Sequence, residues 1–344
     1  MKSETWQRLL VAADELSRLA PWTWMHDSQL VGLRDPSTGE KLLCSILGRL
    51  REVFGVIVYR RPAGRRWVLN AILDSADPTV RRDQDTALDQ DCLKVEFVVK
   101  RELDGPDRAV LTTAGFAPKA KRGPIWPTFR SMLPGGYPWF VTQEEAEMLV
   151  FALPRVAAFA ILCRDTPGLK ADLRNGEVAN LPEAYDPAAG PLQPADLDWQ
   201  PEIIPPEPPP VSATLDEATI ERLASLPQPK GLQLEVDIFY GPSPVSEGDR
   251  PFFPKTSLAV ESTSGLIAGF RLGGVTDQEM ADNLTGVIQG ALVQLGARPE
   301  RLCVQRQRVA QMLLPLAQTL GISLQEVPRL PALGQVREEL MRRF

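Results

Sequence analysis

Residues 231–272 read GLQLEVDIFYGPSPVSEGDRPFFPKTSLAVESTSGLIAGFRL. Leu232, Leu234, Val236 and Ile238 alternate along a first run, Leu258 and Val260 mark a second, and Leu266 to Leu272 form a third. Period-two apolar spacing bounded by Gly, Pro and Ser predicts three consecutive strands. The loop between the first two is long, whereas Ser264-Gly265 suits a tight hairpin turn between the second and third. Asp237 falls inside the first strand, where a carboxylate must be paired, hydrogen-bonded or metal-bound to offset its desolvation.

The residues that follow extend the pattern. Thr276 to Leu295 carries helical spacing in Met280, Leu284, Val287, Ile288, Ala291, Leu292 and Leu295, with Thr276 and Glu279 placed as a capping box and Gly296 as the stop. A short strand through Leu302, Cys303 and Val304, a helix over 309–320, a strand over 322–327 and an amphipathic helix over 335–344 complete the order βββαβαβα. Three neighbouring strands followed by alternating helix and strand predict a mixed sheet with helices packed on it.

With that order and Asp237 in place, the last third of the chain resembles the ribonuclease H-like, or retroviral-integrase-like, domain. The resemblance implies a mixed α/β fold whose first strand holds a metal-binding aspartate, matched by Asp237, and whose fourth strand ends in a second carboxylate. At that second position the chain reads Cys303-Val304-Gln305-Arg306, an amide and a cation. A third acidic residue comes from a late helix, where Glu338 and Glu339 stand. Two functional readings follow. In the first, the domain is a degenerate, non-catalytic member that needs no cofactor and binds a protein or nucleic acid. In the second, it is a divalent-metal nuclease or phosphoryl transferase in which Asp237 holds Mg or Mn, Glu261 and Glu338 complete the catalytic set and Arg306 assists. A third reading is an oligomer-forming scaffold. The whole chain also resembles a set of uncharacterised two-domain bacterial proteins, through Pro21-Trp22, residues 126–131 (WPTFRS), Pro134-Gly135, Pro138-Trp139, residues 144–146 (EEA) and Arg250-Pro251.

The bounds are those of an ordinary folded chain: 344 residues, 44% hydrophobic and 24% charged, enough for two domains. Cys44, Cys92, Cys163 and Cys303 lie far apart in apolar surroundings without a CxxC pair, so they read as reduced thiols and not as a zinc site. His26 is the only histidine, beside Trp22, Trp24 and Asp27; it excludes a Ser-His-Asp mechanism unless it serves itself. Neither a GxxxxGK[ST] nor a GxGxxG phosphate cradle occurs. The polar start, and the expectation that no run reaches a membrane span, predict a cytoplasmic protein.

The net charge of −6 is unevenly spread. Residues 1–164 carry 23 basic and 20 acidic side chains, 165–230 carry 4 and 12, and 231–344 carry 11 and 12. The middle segment also holds 13 of the 32 prolines, which lack the N–H that helices and central strands need. It is expected to be an acidic, Pro-rich linker with a short helix over 215–226. Residues 1–164 are expected to form an α+β domain. A helix over 4–19 is followed by strands over 30–34, 42–47 and 53–59, expected as an antiparallel meander, a helix over 65–73, a strand over 93–99 and a long helix over 143–164 that Pro154 is expected to kink. The helices are expected on one face of the sheet.

Residues 117–140 read APKAKRGPIWPTFRSMLPGGYPWF. Lys119, Lys121, Arg122 and Arg130 interleave with Trp126, Phe129, Tyr137 and Trp139, a mixture that single-stranded nucleic-acid surfaces use. With Arg306 they form the candidate nucleic-acid-binding set. The competing reading is a proline-braced loop whose rings plug the core edge while its cations are solvated, and the domain's modest net charge of +3 favours it.

Overall fold

The computed structural model describes residues 3–76, 84–119, 123–169, 176–274 and 276–343. The chain divides into two compact units, 1–134 with 138–207, and 208–344 with 135–137.

In the N-terminal unit, helix α1 (Ser3–Leu19) precedes strands β1 (Val31–Arg34), β2 (Lys41–Leu47) and β3 (Phe54–Tyr59). Helix α2 (Arg61–Ala76), strand β4 (Cys92–Val98), helix α3 (Gly105–Thr113), strand β5 (Trp126–Met132), helix α4 (Gln143–Asp165) and strands β6 (Glu177–Asn180) and β7 (Asp198–Pro201) follow. One seven-stranded sheet forms in the order β5-β4-β3-β2-β1-β6-β7. The antiparallel meander expected of β1 to β3 is present, extended by β4 and closed on one side by β5.

Alternation along each strand divides the side chains between two layers. Leu42, Cys44, Ile46, Val56, Val58, Val95 and Phe129 point to the layer containing α1 and α4, while Leu43, Ile57, Tyr59 and Cys92 meet Val68, Leu69 and Ile72 of α2. Helices therefore cover both faces, in contrast to the single covered face expected. The apolar side of α2 is short, and the sequence pattern offered no sign of which face it would take.

Helix α4 starts at a capping box in which Thr142 and Glu145 satisfy each other's backbone N–H groups. Its 23 residues reach a mean hydropathy of 1.9 over an 18-residue window, long and apolar enough to cross a membrane by length and composition, contrary to the expectation that no run would be. Here it is a core helix, with Leu149, Leu153, Val156 and Phe159 fully buried.

Two further expectations change. Residues 126–132 are a strand within the sheet and not a loop, because alternate residues Pro127, Phe129 and Ser131 are buried while the intervening side chains reach the other layer. The segment 165–230, expected as a linker, supplies β6 and β7. Glu202 pairs with Lys41 and, at 3.4 Å, with Arg65, and Ile204 packs on the α2 layer. Short strands of ordinary polar residues carry little periodic signal, so proline content dominated the reading.

The C-terminal unit comprises helix α5 (Glu217–Ala224), strands β8 (Gln233–Tyr240), β9 (Lys255–Glu261) and β10 (Ile267–Gly273), helix α6 (Asp277–Leu295), strand β11 (Arg301–Val304), helix α7 (Gln307–Thr319), strand β12 (Ser323–Glu326) and helix α8 (Pro331–Arg343). The sheet order is β10-β9-β8-β11-β12, with β9 antiparallel to both neighbours and β8, β11 and β12 parallel. Leu234, Val236 and Ile238 face the core built with α5, α6 and α7, and Phe239, Leu258 and Val260 face α8. The Thr276–Glu279 capping box opens α6, and Gly296 closes it in the left-handed region at φ 59°.

Candidate functional site

Side chains two apart on a strand share a face, so Glu235 and Asp237 both lie on the α8 side of β8, with Phe239 between them and the strand's end. Asp237 is 3% exposed. Its charge is met from the C-terminal end of β11, where Arg306, the residue preceding α7, donates from Nη2 to Asp237 Oδ2 at 3.2 Å. The parallel pairing of β8 with β11 brings these ends together. A cation thus stands at the end of the fourth strand of this unit, where the resemblance drawn from the sequence implies a carboxylate.

Glu235 is committed elsewhere. Its Oε2 accepts the Leu333 N–H at 2.8 Å in the first turn of α8, satisfying one of that helix's free donors. Burial pushes its carboxyl above the ordinary glutamate value, and the Leu333 and Ala332 backbone N–H groups oppose the shift without cancelling it.

Glu261 stands directly opposite Leu234 in the β8–β9 register, on the face away from Asp237. It closes the β9–β10 turn by accepting from Thr263 N at 2.9 Å, Ser264 N at 2.7 Å and Ser264 Oγ at 2.6 Å. These bonds, against the opposing effect of burial, hold its carboxyl below the usual range. Glu338 is an exposed residue of α8 that pairs with Arg342 one turn on, at 3.2 Å. Asp237, Glu261 and Glu338 are therefore not brought together. Among the described residues no group of three His, Cys, Asp or Glu side chains could hold a metal ion. A divalent ion needs several oxygen ligands, so these residues do not fit Mg or Mn.

The Arg306–Asp237 pair gives a prediction. Arg306→Met is expected to lower the stability of the C-terminal unit by about 2 kcal/mol, less than for a fully buried pair because the Arg306 side chain is 29% exposed. Asp237→Asn in the same background should recover part of the loss, which a double-mutant cycle followed by scanning calorimetry would measure.

The candidate nucleic-acid set is likewise divided. Arg130 makes a two-pronged bond with Asp107 at 2.8 and 2.6 Å and a third bond with Asp104 at 2.9 Å, so its charge is already met by the start of α3. Trp126 packs edge-on against Phe116, with Lys100 Nζ 5.1 Å from its ring centroid. Phe129 is buried against Trp6. Lys119 is an exposed residue whose backbone N–H bonds Asp14 Oδ1. Lys121 and Arg122 lie outside the described residues. His26 is exposed.

Sequence reasoning missed a buried polar network at the start of α4. Arg60 donates to Asp91 Oδ1 at 2.9 Å, Glu145 Oε1 at 2.6 Å and Ser131 Oγ at 3.1 Å, and Ser131 Oγ donates to the same Glu145 oxygen at 2.7 Å. Arg61 adds two bonds to Asp91, at 2.5 and 2.6 Å. The available signal was the pair Arg60-Arg61 directly after a strand and before Pro62, where a cation at a strand end needs a partner.

A second missed feature is a groove of about 660 Å³ in the N-terminal unit. Its floor is the sheet face bearing Ile57, Lys94, Glu96, Thr128 and Arg130, and its walls come from α2 and from the segment running into α3.

The comparisons match two domains of unknown function, the DUF6930 model over residues 219–341 and the DUF7309 model over residues 6–180. No curated protein and no solved structure matches the chain. The DUF6930 match lies in the second unit and contains the β8–β12 sheet and the Asp237–Arg306 pair, and the DUF7309 match lies in the first unit except for residues 135–137. Because the DUF7309 model spans more than half of the chain, this protein belongs to the DUF7309 family, a domain of unknown function.

Proposed function

We propose that this is a cytoplasmic, non-catalytic binding or interaction protein whose C-terminal unit is a degenerate ribonuclease H-like domain. The strand order β10-β9-β8-β11-β12, with β9 alone reversed, supports the fold assignment, since it places Asp237 on the central strand beside the end of the fourth. The observation that carries the functional reading is Arg306 bonded to Asp237: a fixed cation neutralises the carboxylate that a metal would need. Four free thiols, three of them buried, support a reducing compartment. Its partner in this reading is a protein or a nucleic acid.

Calorimetric titration of Mn²⁺ into the full chain tests this. Wild type should give no binding heat at millimolar ion. Saturable binding that Asp237→Asn abolishes would instead favour the alternative, a metal-dependent nuclease or phosphoryl transferase, and would overturn the reading.

A further inference from the structure

The groove of the N-terminal unit contains polar groups that the fold does not use. Tyr59 lines it while only 3% exposed, stacked on Trp67 with ring centroids 5.7 Å apart. Its hydroxyl makes no hydrogen bond with any described residue, and Ser28, 7% exposed and also lining the groove, leaves its hydroxyl in the same state. Neither hydroxyl is sealed inside the protein, so both open onto the cavity from otherwise buried residues and offer their bonds to whatever occupies it. The Asp27 carboxylate lies at the same end of the groove and is exposed. Its charge reaches Tyr59: burial first, then Cys92 and Asp27, push the phenol well above its ordinary range, which keeps it a neutral donor and acceptor.

The sign of the ligand follows from the rest of the lining. Five carboxylates, Asp27, Glu96, Glu102, Asp104 and Asp107, face two cations, Lys94 and Arg130. Both cations are already met, Lys94 by Glu96 at 2.8 Å and Arg130 by Asp104 and Asp107. An anion would have to displace these pairs, whereas a cation meets a net negative field. The α2 wall is apolar, with Val68 and Ile72 beside the Trp67 ring, and Ile57 of the floor lies below them. At about 660 Å³ the space is of the size that small-molecule sites occupy.

We infer that this groove binds a small organic cation, an ammonium or guanidinium group on an aliphatic stem. The charged head sits between Asp27 and the Tyr59 and Ser28 hydroxyls, which take its N–H donors. The Trp67 face contributes a cation–π contact and the α2 wall covers the stem. The same chemistry is presented by a free aliphatic amine or by a basic side chain of a peptide.

Calorimetric titration of the full chain at low salt tests the assignment, with spermidine standing for the free amine and acetyl-arginine amide for the peptide side chain. At least one is expected to bind with 1:1 stoichiometry, and the preferred one identifies the source. Tyr59→Phe should weaken binding about fivefold, the worth of one hydrogen bond, and Asp27→Asn about tenfold or more. Because the Tyr59 hydroxyl bonds to no described residue, Tyr59→Phe should melt no lower than wild type, separating lost binding from lost fold. Binding of neither probe at millimolar concentration, binding indifferent to both variants, or preferential binding of inorganic phosphate would overturn the inference.

Discussion

Arg60→Met should destabilise the N-terminal unit by about 3–5 kcal/mol, the range for removing one member of a buried ionic network. The Arg60 side chain is 6% exposed, and its removal leaves Glu145 and Ser131 without their cation while Asp91 keeps only Arg61. The surroundings resist repair. Arg61 sits at φ 54°, a strained position for a non-glycine residue, and a Cβ at Gly64 would collide with the Asp91 carbonyl oxygen, so the chain cannot settle to close the gap. All seven tryptophans precede residue 200, and urea unfolding followed by tryptophan fluorescence therefore reports on this unit alone. An unchanged midpoint would contradict the argument.

The network also sets a pH dependence. Burial would raise the Glu145 carboxyl, but hydrogen bonds from Ser131 and the Thr142 N–H, together with Arg60, outweigh it and hold the group below its ordinary value. A depressed carboxyl contributes stability that is present above its unfolded value and lost as pH falls through the folded one, so Glu145 supports the wild type down to acid pH. In Arg60→Met both the charge and the hydrogen bond that Arg60 directs at Glu145 vanish. The acid-unfolding limb should begin at higher pH than in the wild type.

Phe159→Ala is the second large effect, at about 3–5 kcal/mol, the range for deleting a fully buried aromatic ring. Phe159 is 0% exposed, in the last third of α4, within the core shared by α1 and the sheet. The measurement also bears on the helix itself. If α4 is a core helix of a folded unit, the variant should lose stability cooperatively in water, by the same fluorescence transition. A helix held in a lipid phase would show no such transition, and membrane partition of the variant would match the wild type.

The C-terminal fold was largely legible because each element carried its own local signal. Alternation over 232–238, the capping box at Thr276 and Glu279 and the stop at Gly296 all state local backbone preferences that the packed unit keeps. The N-terminal meander was legible for the same reason. Strands β6 and β7 were not, since four-residue strands such as Asp198–Pro201 are too short and polar to show a period. Strand β5 was hidden by aromatic and proline residues that resemble a loop.

The candidate site divides in the same way. That Asp237 is a carboxylate in a core strand, and that the fourth strand ends in Gln305-Arg306, is fixed by the amino-acid order alone. Pairing register, sheet order and helix placement are three-dimensional, and they decided the outcome. The unbroken β8–β9 register sets Glu261 opposite Leu234 and so on the other face, the parallel neighbour β11 delivers Arg306 to Asp237, and α8 takes the Glu235 carboxylate for its first turn. The groove onto which Tyr59 and Ser28 open likewise emerges only when the sheet and α2 pack together, because burial and partnership are properties of the packed chain and not of its residues.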